Sequence, residues 1–381
     1  MENTKILQFQ ANKDVFITIL RIVLILLTLY AFLVSIGLMG AGFKVFGKSF
    51  AKALIETTNN PFVGLFVGVL ATALIQSSST TTSMVVAFVA SGAISVPNAI
   101  PIIMGANVGT AVTSTFVSLG HVTRINEFKR AFAAGIVHDM FNLLAVMVIL
   151  PIELATGFLA KSAYYLSDLL AGSSSGVEFK SPLKLITKPV YNGIVQSVVS
   201  FDLNKIATGI IVVAMGIVLL IISLYLLSKL LKLLVMDKLR AFFQESYYSN
   251  SIVAMIIGIT FTAIVQSSSV TTSLMIPLAA AGIMRLDQVF PVALGANVGT
   301  TVTALLASLA TGSPAALTIA LVHLLFNLSG ILAFYPLPMM RKIPIKCADL
   351  LSQMATRNRL FALVFVLVVY FMIPGLAVLV T

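Results

Sequence analysis

The sequence predicts an all-α polytopic membrane protein made of two inverted repeats, each with a re-entrant helical hairpin followed by membrane helices, plus scaffold helices. Three observations predict this fold. The 381 residues are 59% hydrophobic and only 10% charged, with a mean hydropathy of +1.06, whereas about a quarter of a soluble domain is charged. Polar motifs recur at a fixed spacing. Each copy also begins with an apolar stretch that is too short to cross a bilayer.

Two motifs carry the repeat. The Gln-Ser-Ser-Ser quartet at residues 76–79 recurs at 266–269, an offset of 190 residues (266 minus 76). The Gly-Ala-Asn-Val-Gly-Thr motif at 105–110 recurs at 295–300 with the same offset. The chain therefore contains two copies of one unit.

A third motif, His-x-x-Phe-Asn, occurs at 138–142 and at 323–327, an offset of 185 residues (323 minus 138). Its first copy contains Asp139, the one carboxylate well inside a predicted crossing, where an ionisable residue is by default a functional candidate. The equivalent residue is Leu324, so the role of Asp139 is not symmetric.

The first element is a membrane helix predicted at about residues 15–40, in an N-terminal region (1–56) that also has an amphipathic segment. Repeat 1 (57–171) begins with apolar stretches at 61–75 and 81–91 on either side of the first quartet. At 1.5 Å per residue these stretches reach roughly 22 and 16 Å, which is short of the ~30 Å hydrocarbon core. We therefore predict a re-entrant hairpin with the quartet at its tip.

Two crossings complete repeat 1, at about 98–119 and 131–150, and an amphipathic stretch follows. An external loop rich in Gly and Ser is predicted over 172–204. A scaffold helix then crosses at 206–228 into a basic cytoplasmic loop, within the region 205–246. Repeat 2 (247–356) contains the second hairpin, with arms at 251–265 and 271–281, and further crossings, before a C-terminal membrane helix at 357–381.

Basic loops orient these elements. The chain has 24 Lys and Arg against 13 Asp and Glu, and most of the basic residues lie in short loops, as the positive-inside rule requires on the cytoplasmic side. With these loops inside, the first hairpin enters from outside and the second from inside, as in many secondary transporters with inverted repeats. The basic excess is thus explained by topology, and no nucleic acid partner is predicted.

The repeats carry almost no charge. No charged side chain lies between Glu56 and Arg124, or between Asp287 and Arg341, so a ligand held there must be held by neutral groups. Hydroxyls and helix N-termini suit an oxyanion. Amide and carbonyl oxygens at a helix break, as expected at both Gly-Ala-Asn motifs, suit a hard cation such as Na+.

Structural roles stay open for the same residues. Hydroxyls in membrane helices often bond one turn back, and Gly105 with Gly109 has a helix-packing spacing. The quartet glutamines could cap the hairpin backbone, and the repeated asparagines could join adjacent helices. His138 and His323 are assigned to helix packing. Two polar motifs in opposed orientation nevertheless favour a site, because inverted hairpins bring their tips together near the midplane.

The quartets, the run 101–110 and the segment 130–153 closely resemble the type II sodium-phosphate cotransporters, over roughly residues 50–340. The resemblance implies a multipass symporter of the cell (inner or plasma) membrane that imports divalent phosphate with co-transported Na+, without a cofactor. It also implies an aspartate at the Asp139 position in electrogenic members, where electroneutral members carry glycine. A homodimer in the lipid bilayer is expected, with one site per protomer.

The candidate ligands follow from the repeat and from this resemblance. Phosphate ligands are expected to be Gln76, Ser77, Ser78, Ser79, Thr80, Gln266, Ser267, Ser268 and Ser269. Sodium ligands are expected to be Asn107, Thr110, Asp139, Asn142, Asn297, Thr300 and Asn327. No catalytic residue is predicted, because no pair of nucleophile and base lies in the repeats. No transition-metal site is predicted either, since the histidines lack Cys or carboxylate companions.

Two departures from the family are visible. The 172–204 loop is short and lacks the disulfide of animal members, and His121 and Arg124 stand where an amide and a carboxylate are expected. The alternatives left open are a phosphate exporter, as a related bacterial branch is thought to be, a sodium-coupled carrier of sulfate or a dicarboxylate, and a passive anion channel.

Overall fold

The computed structural model describes residues 2–46, 59–171, 182–244 and 250–380, and within these ranges every regular element is a helix. Within the described ranges seven segments are long and apolar enough to cross a membrane, which confirms the prediction of an all-α polytopic membrane protein. These segments are Phe16–Phe46, Val96–Leu119, Ile125–Thr156, Lys205–Leu233, Leu286–Thr311, Pro314–Phe334 and Arg359–Val380.

Three scaffold helices pack side by side. Helix α1 (Glu2–Phe46) contains the first predicted crossing and lies along α9 (Lys205–Gln244), and α8 (Pro182–Val199) packs against both. The loop predicted over 172–204 is therefore wrong for α8. This segment is helical because it has an apolar partner, since Tyr191 packs onto Gly37 of α1. Residues 172–181 of that loop, and residues 47–58 with much of the predicted amphipathic segment, lie outside the described residues.

Repeat 1 begins with the predicted hairpin. Helix α2 (Pro61–Ile75) ends at the quartet, and α3 (Ser78–Ser91) begins within it, earlier than the predicted start at Thr81. The earlier start has a local cause, because the Ser77 side chain caps α3. The remaining helices are α4 (Val96–Val108), α5 (Ala111–Leu119), α6 (Ile125–Thr156) and α7 (Phe158–Ala171).

Repeat 2 has the same order of elements. Its hairpin is formed by α10 (Ser251–Val265) and α11 (Ser268–Ala280), and α12 (Leu286–Thr311), α13 (Pro314–Phe334) and α14 (Pro338–Arg357) follow. The C-terminal membrane helix has three parts, namely α15 (Arg359–Leu367), a π-helical segment (Val368–Met372) and α16 (Ile373–Val380).

Glycines let the first arm of each hairpin lie directly on a later helix of its repeat. A Cβ at Gly105 in α4 would overlap the carbonyl oxygen of Leu65 in α2. A Cβ at Gly295 in α12 would likewise overlap the carbonyl oxygen of Met255 in α10. The packing role left open for the glycine motif is therefore observed, since small residues allow two helix backbones to approach closely.

The Gly-Ala-Asn motif was expected at a helix break in both repeats. In repeat 1 it lies at the end of α4, and α5 begins at Ala111. In repeat 2 it lies inside the uninterrupted helix α12, so that expectation is wrong. A glycine costs a helix only about 1 kcal/mol, and the close packing of α10 on Gly295 and Gly299 holds this stretch helical.

The repeats interlock reciprocally. Helix α3 of repeat 1 packs against α12 of repeat 2, and α11 packs against α5 and α6. Arg130 of α6 donates from Nε and Nη2 to the Ala280 carbonyl at 2.9 and 2.6 Å, which satisfies a carbonyl at the end of α11. Ser114 and Thr272 add a hydroxyl contact of 2.8 Å between repeats. This arrangement is consistent with inverted repeats, and their opposed orientation in a membrane stays a prediction.

Candidate functional site

Each quartet begins with a glutamine that closes one arm of its hairpin. Gln76 ends α2 at φ 60°, and Gln266 ends α10 at φ 59°. This left-handed conformation is unfavourable for residues with a Cβ, so other contacts must hold it. The Gln76 Nε2 donates to the Ala73 carbonyl at 2.5 Å, and the Gln266 Nε2 donates to the Ala263 carbonyl. The capping role left open for both glutamines is therefore observed.

The amide oxygen of each glutamine connects the hairpin tip to a neighbouring helix by a hydrogen bond. The Gln76 Oε1 accepts a hydrogen bond from Thr113 at 2.8 Å, and the Gln266 Oε1 accepts one from Thr303 at 2.8 Å. These threonines were missed in the sequence, although they have the offset of the quartets (303 minus 113). Both tips are therefore built from the same contacts.

The first serine of each quartet caps the second arm. The Ser77 Oγ accepts the N–H of Thr80 at 3.2 Å, and the Ser267 Oγ accepts the N–H of Val270 at 3.4 Å. Helices α3 and α11 consequently begin at the two tips. A helix N-terminus carries unpaired N–H groups and a partial positive charge, which together favour an oxyanion.

The two tips meet. The Ser79 hydroxyl donates to the Gln266 carbonyl at 3.3 Å, although the residues lie in different repeats. Both tips line one cavity of about 470 Å³, to which the quartet regions contribute Gln76, Ser77, Ser79, Thr80, Gln266 and Ser267. The predicted phosphate ligands Ser78, Ser268 and Ser269 are not among its lining residues.

The scaffold forms another wall of this cavity. Helix α9 contributes Tyr225, Ser228, Lys229 and Lys232. The residues that the repeats contribute to the cavity are neutral, and its charged lining residues come from α9. Sequence reasoning missed the lysines because they lie outside both repeats, and only the folded chain places α9 beside the tips.

A second polar cluster joins the repeats. The Asn142 Nδ2 donates to the Asn107 carbonyl at 2.9 Å, and the Asn327 Nδ2 donates to the Asn297 carbonyl at 3.3 Å. The Asn297 Nδ2 also donates to the Asn142 Oδ1 at 2.7 Å. All four asparagines are buried. The structure therefore brings four of the predicted sodium ligands together, and it also shows them joining helices, as the structural alternative expected.

Two histidines complete this cluster. The His138 Nε2–H donates to the Asn297 Oδ1, and the His323 Nε2 lies 3.2 Å from the Asn107 Oδ1. Each histidine thus reaches an asparagine of the opposite repeat. The sequence assigned both histidines to packing, and the overlooked signal was that each precedes a repeated asparagine by one helical turn.

The two threonines predicted as sodium ligands make local hydrogen bonds. The Thr110 hydroxyl donates to the Ala106 carbonyl at 3.1 Å, and the Thr300 hydroxyl donates to the Ala296 carbonyl at 2.9 Å. This is the bonding one turn back that the structural alternative described. Their oxygen lone pairs can still face a cation, so their place in a sodium site stays a prediction.

Asp139 lies on α6 beside His138 and is buried. Its Oδ2 accepts a hydrogen bond from the Tyr370 hydroxyl at 2.9 Å, whereas its Oδ1 has no hydrogen-bond partner among the described residues. The Asn327 Oδ1 is a second buried oxygen without a partner in the described part of the chain. Unpaired buried acceptors are costly, and hard cations bind oxygen ligands of this kind.

A second buried carboxylate, Glu153, lies near the end of α6, beyond the crossing predicted at 131–150. Its oxygens accept the N–H groups of Leu159 and Ala160 at 2.5 and 3.2 Å. Glu153 therefore caps α7, whereas Asp139 keeps an oxygen free.

His121 and Arg124 lie in the loop between α5 and α6, where both approach Glu127, at 3.4 and 2.8 Å. The hydrogen bond to the Glu127 carboxylate raises the pKa of the Arg124 guanidinium. These departures from the family thus both contact one carboxylate at the partly exposed start of α6.

Comparisons with known proteins agree on one family. The sequence profile described as Na+/Pi-cotransporter matches residues 31–165 and 219–335. Sodium-dependent phosphate transport protein 2A of Ovis aries is 34% identical over 94% of this chain and 67% of its own length. The Mus musculus 2A protein gives the same three values. The Homo sapiens 2B protein is 32% identical over 93% of this chain and 64% of its own length. No solved structure gave a significant match.

Proposed function

The chain belongs to the Na+/Pi-cotransporter family, and from this we propose that it imports inorganic phosphate into the cell together with Na+, by alternating access. Relatives that are similar over nearly the whole chain are named as sodium-dependent phosphate transport proteins. The seven candidate spans fit a multipass plasma membrane carrier. The protein is a transporter and not an enzyme, and Na+ is its co-transported ion.

The cavity between the tips is the proposed phosphate site. The single observation that carries this proposal is the hydrogen bond from Ser79 to the Gln266 carbonyl, which joins the two quartets at one cavity. Two helix N-termini and several hydroxyls border the cavity, and such groups hold an oxyanion without a formal counter-charge. Ser78, Ser268 and Ser269 do not line this cavity, so their place as phosphate ligands rests on the repeated quartet and stays a prediction.

The cluster of asparagines with Asp139 is the proposed sodium site. It offers amide and carbonyl oxygens and one carboxylate, which are ligands of hard cations. Because the repeats contribute only neutral residues to the phosphate cavity and α9 contributes Lys229 and Lys232, we propose that co-bound Na+ adds to the lysines in offsetting the charge of a divalent phosphate. Sodium and phosphate thus each favour the presence of the other, which is the thermodynamic requirement for coupled transport.

Alternating access follows from the interlocked repeats. In the topology predicted from the basic loops, the end of α9 with Lys229 and Lys232 lies inside, so we propose that the cavity opens to the cytoplasm in this conformation. Rocking of one repeat against the other would close it and open the opposite side, as in other carriers with internal repeats. A homodimer with one independent site per protomer stays part of the proposal, to be measured by light scattering in detergent.

The test is radiolabelled phosphate uptake into proteoliposomes with and without an inward Na+ gradient. Accumulation above equilibrium that requires Na+ is expected. Uptake that equilibrates without Na+ would indicate a channel, and efflux that does not depend on Na+ would indicate an exporter. Equal competition by unlabelled sulfate or a dicarboxylate would overturn phosphate as the substrate.

A further inference from the structure

A residue outside both repeats reaches the proposed sodium site. Tyr370 lies in the C-terminal membrane helix, is 1% exposed, and donates its hydroxyl hydrogen to the Asp139 Oδ2 at 2.9 Å. Its ring packs edge-on against Phe365, with centroids 6.1 Å apart. The side chain is therefore held in place by packing at one end and by a hydrogen bond at the other.

The backbone around Tyr370 is unusual. Residues Val368–Met372 form a π-helical segment between two α-helical parts of the same helix. Such bulges are rare, and they are frequently found at functional sites. Here the bulge contains the residue that contacts Asp139, and the helix also packs against hairpin arm α2.

The hydrogen bond uses only one carboxylate oxygen. The Asp139 Oδ1 has no hydrogen-bond partner among the described residues. The His138 Nδ1 lies 3.7 Å from it and also lacks a hydrogen bond in this part of the chain. A buried carboxylate without a counter-charge is strongly unfavourable. A cation bound at the free Oδ1 would therefore offset the free-energy cost of burying the Asp139 carboxylate.

We propose that Tyr370 is the positioning residue of the Asp139 sodium site. By holding Oδ2, its hydroxyl fixes the carboxylate orientation and leaves Oδ1 directed at Na+. Without this hydrogen bond the carboxyl group can rotate, and the ion loses a preorganised ligand. The inference rests on the proposed function, because it assigns Tyr370 a part in the same sodium site.

The test is Tyr370→Phe, which removes the hydroxyl and keeps the ring. Phosphate uptake into proteoliposomes is measured against Na+ concentration at saturating phosphate, and against phosphate concentration at saturating Na+. We expect the apparent Na+ affinity to fall about tenfold, the loss typical of one hydrogen bond to a charged group, while the phosphate KM at saturating Na+ stays within about twofold.

The matched control is Tyr335→Phe. The Tyr335 hydroxyl is also buried but has no hydrogen-bond partner among the described residues, so its removal is expected to leave both affinities unchanged. Thermal unfolding in detergent is measured for both variants. A positioning role predicts that both variants unfold at the same temperature and that only Tyr370→Phe has a changed Na+ affinity. A general structural effect would instead lower the unfolding temperature of Tyr370→Phe.

Asp139→Asn and the double variant complete the experiment. If the hydroxyl acts through the carboxylate, adding Tyr370→Phe to Asp139→Asn should change the Na+ affinity no further. Additive effects, or an unchanged Na+ affinity in Tyr370→Phe, would overturn the inference while sodium-driven uptake by the parent still supports the proposed function. An Asp139→Asn variant with the parent's Na+ affinity would also overturn the inference. Absence of sodium-driven uptake in the parent would instead overturn the proposed function.

Discussion

At the scale of single residues, one hydroxyl couples the two halves of the proposed phosphate site. Ser79 donates to the Gln266 carbonyl and also lines the cavity. A serine hydroxyl keeps acceptor lone pairs when it donates. It can therefore accept a hydrogen bond from the P–OH group of hydrogen phosphate, a donor that sulfate lacks at neutral pH.

The first prediction concerns this hydroxyl. Ser79→Ala should weaken phosphate binding by about 1.5 kcal/mol, or roughly tenfold, because a hydrogen bond to a charged group is worth about that much. The measurement is the phosphate KM for sodium-driven uptake. Ser83→Ala on the same helix is the control, because the Ser83 hydroxyl is buried without a partner among the described residues. Equal effects of both substitutions would contradict a binding role for Ser79.

The sequence predicted part of this site and missed another part, for a physical reason. A repeated polar quartet in an uncharged, apolar segment is recognisable locally, because burying it without a use would be costly. Lys229 and Tyr370 carry no such signal. Each lies in a helix whose composition is ordinary for a membrane span, and only the packing of that helix against the repeats places the side chain beside one of the two proposed sites.

At the scale of elements, the sequence predicted the first arm of each hairpin to the residue, at 61–75 and 251–265. The structure shows why the ends are sharp, since Asn60 and Asn250 cap the starts of the arms and the quartets follow their ends. It was wrong about α8 and about the break in α12. Both errors have one cause, which is that tertiary packing outweighs local preference. Tyr191 has a partner in α1, and the α12 glycines have a partner in α10.

The second prediction tests this packing. Gly105→Ala should lower the stability by about 1–3 kcal/mol, the usual cost of overpacking, because a Cβ there would meet the backbone carbonyl of Leu65, which is not free to move aside. Gly40→Ala in α1 is the matched control. Nothing lies within 4 Å of its Cβ position, so a gain of up to about 1 kcal/mol is expected from helix propensity. The measurement is the temperature of thermal unfolding in detergent. If Gly105→Ala leaves this temperature unchanged, helices α2 and α4 can move apart without loss of stability.

The third prediction concerns the scaffold wall of the cavity. Replacing Lys229 and Lys232 together by Gln should weaken phosphate binding roughly threefold at low ionic strength, and the difference should shrink when choline chloride is added at constant Na+. Exposed charges act over a Debye length of about 10 Å at 0.1 M salt. Lys184→Gln with Lys188→Gln on α8 is the control, since neither residue lines the cavity. If salt does not alter the difference, the lysines do not act by attracting the anion.

At the scale of the whole molecule, the repeats are similar in construction and unequal in charge. The tips, the glycine contacts and the crossed pairs of histidine and asparagine have counterparts in both halves. Asp139 has Leu324 as its counterpart, and its partner Tyr370 comes from a helix outside the repeats. The repeat is consistent with a phosphate site enclosed from two sides, and we propose that the exception to the repeat sets the net charge of the cycle.

The last prediction follows from this asymmetry. Two Na+ ions balance a divalent phosphate, and an additional Na+ held by Asp139 would make each cycle move one net positive charge inward, which gains about 2.3 kcal/mol per 100 mV. In proteoliposomes, an inside-negative potential should therefore accelerate sodium-driven phosphate uptake by the parent. Asp139→Gly should still transport but lose that response, because the carboxylate that binds the additional ion is gone.

The control for this experiment is Ser83→Ala, which leaves the charge of the core unchanged and should keep the full response to voltage. A parent that is indifferent to potential, or an Asp139→Gly variant that responds as the parent does, would exclude Asp139 as the electrogenic residue. The asymmetry between Asp139 and Leu324 would then serve packing, with the Tyr370 hydrogen bond anchoring the C-terminal helix to α6. The unfolding temperature should in that case fall in both Asp139→Gly and Tyr370→Phe, because each substitution removes the same hydrogen bond. The fall should be larger in Asp139→Gly, since a glycine inside a helix costs about 1 kcal/mol more.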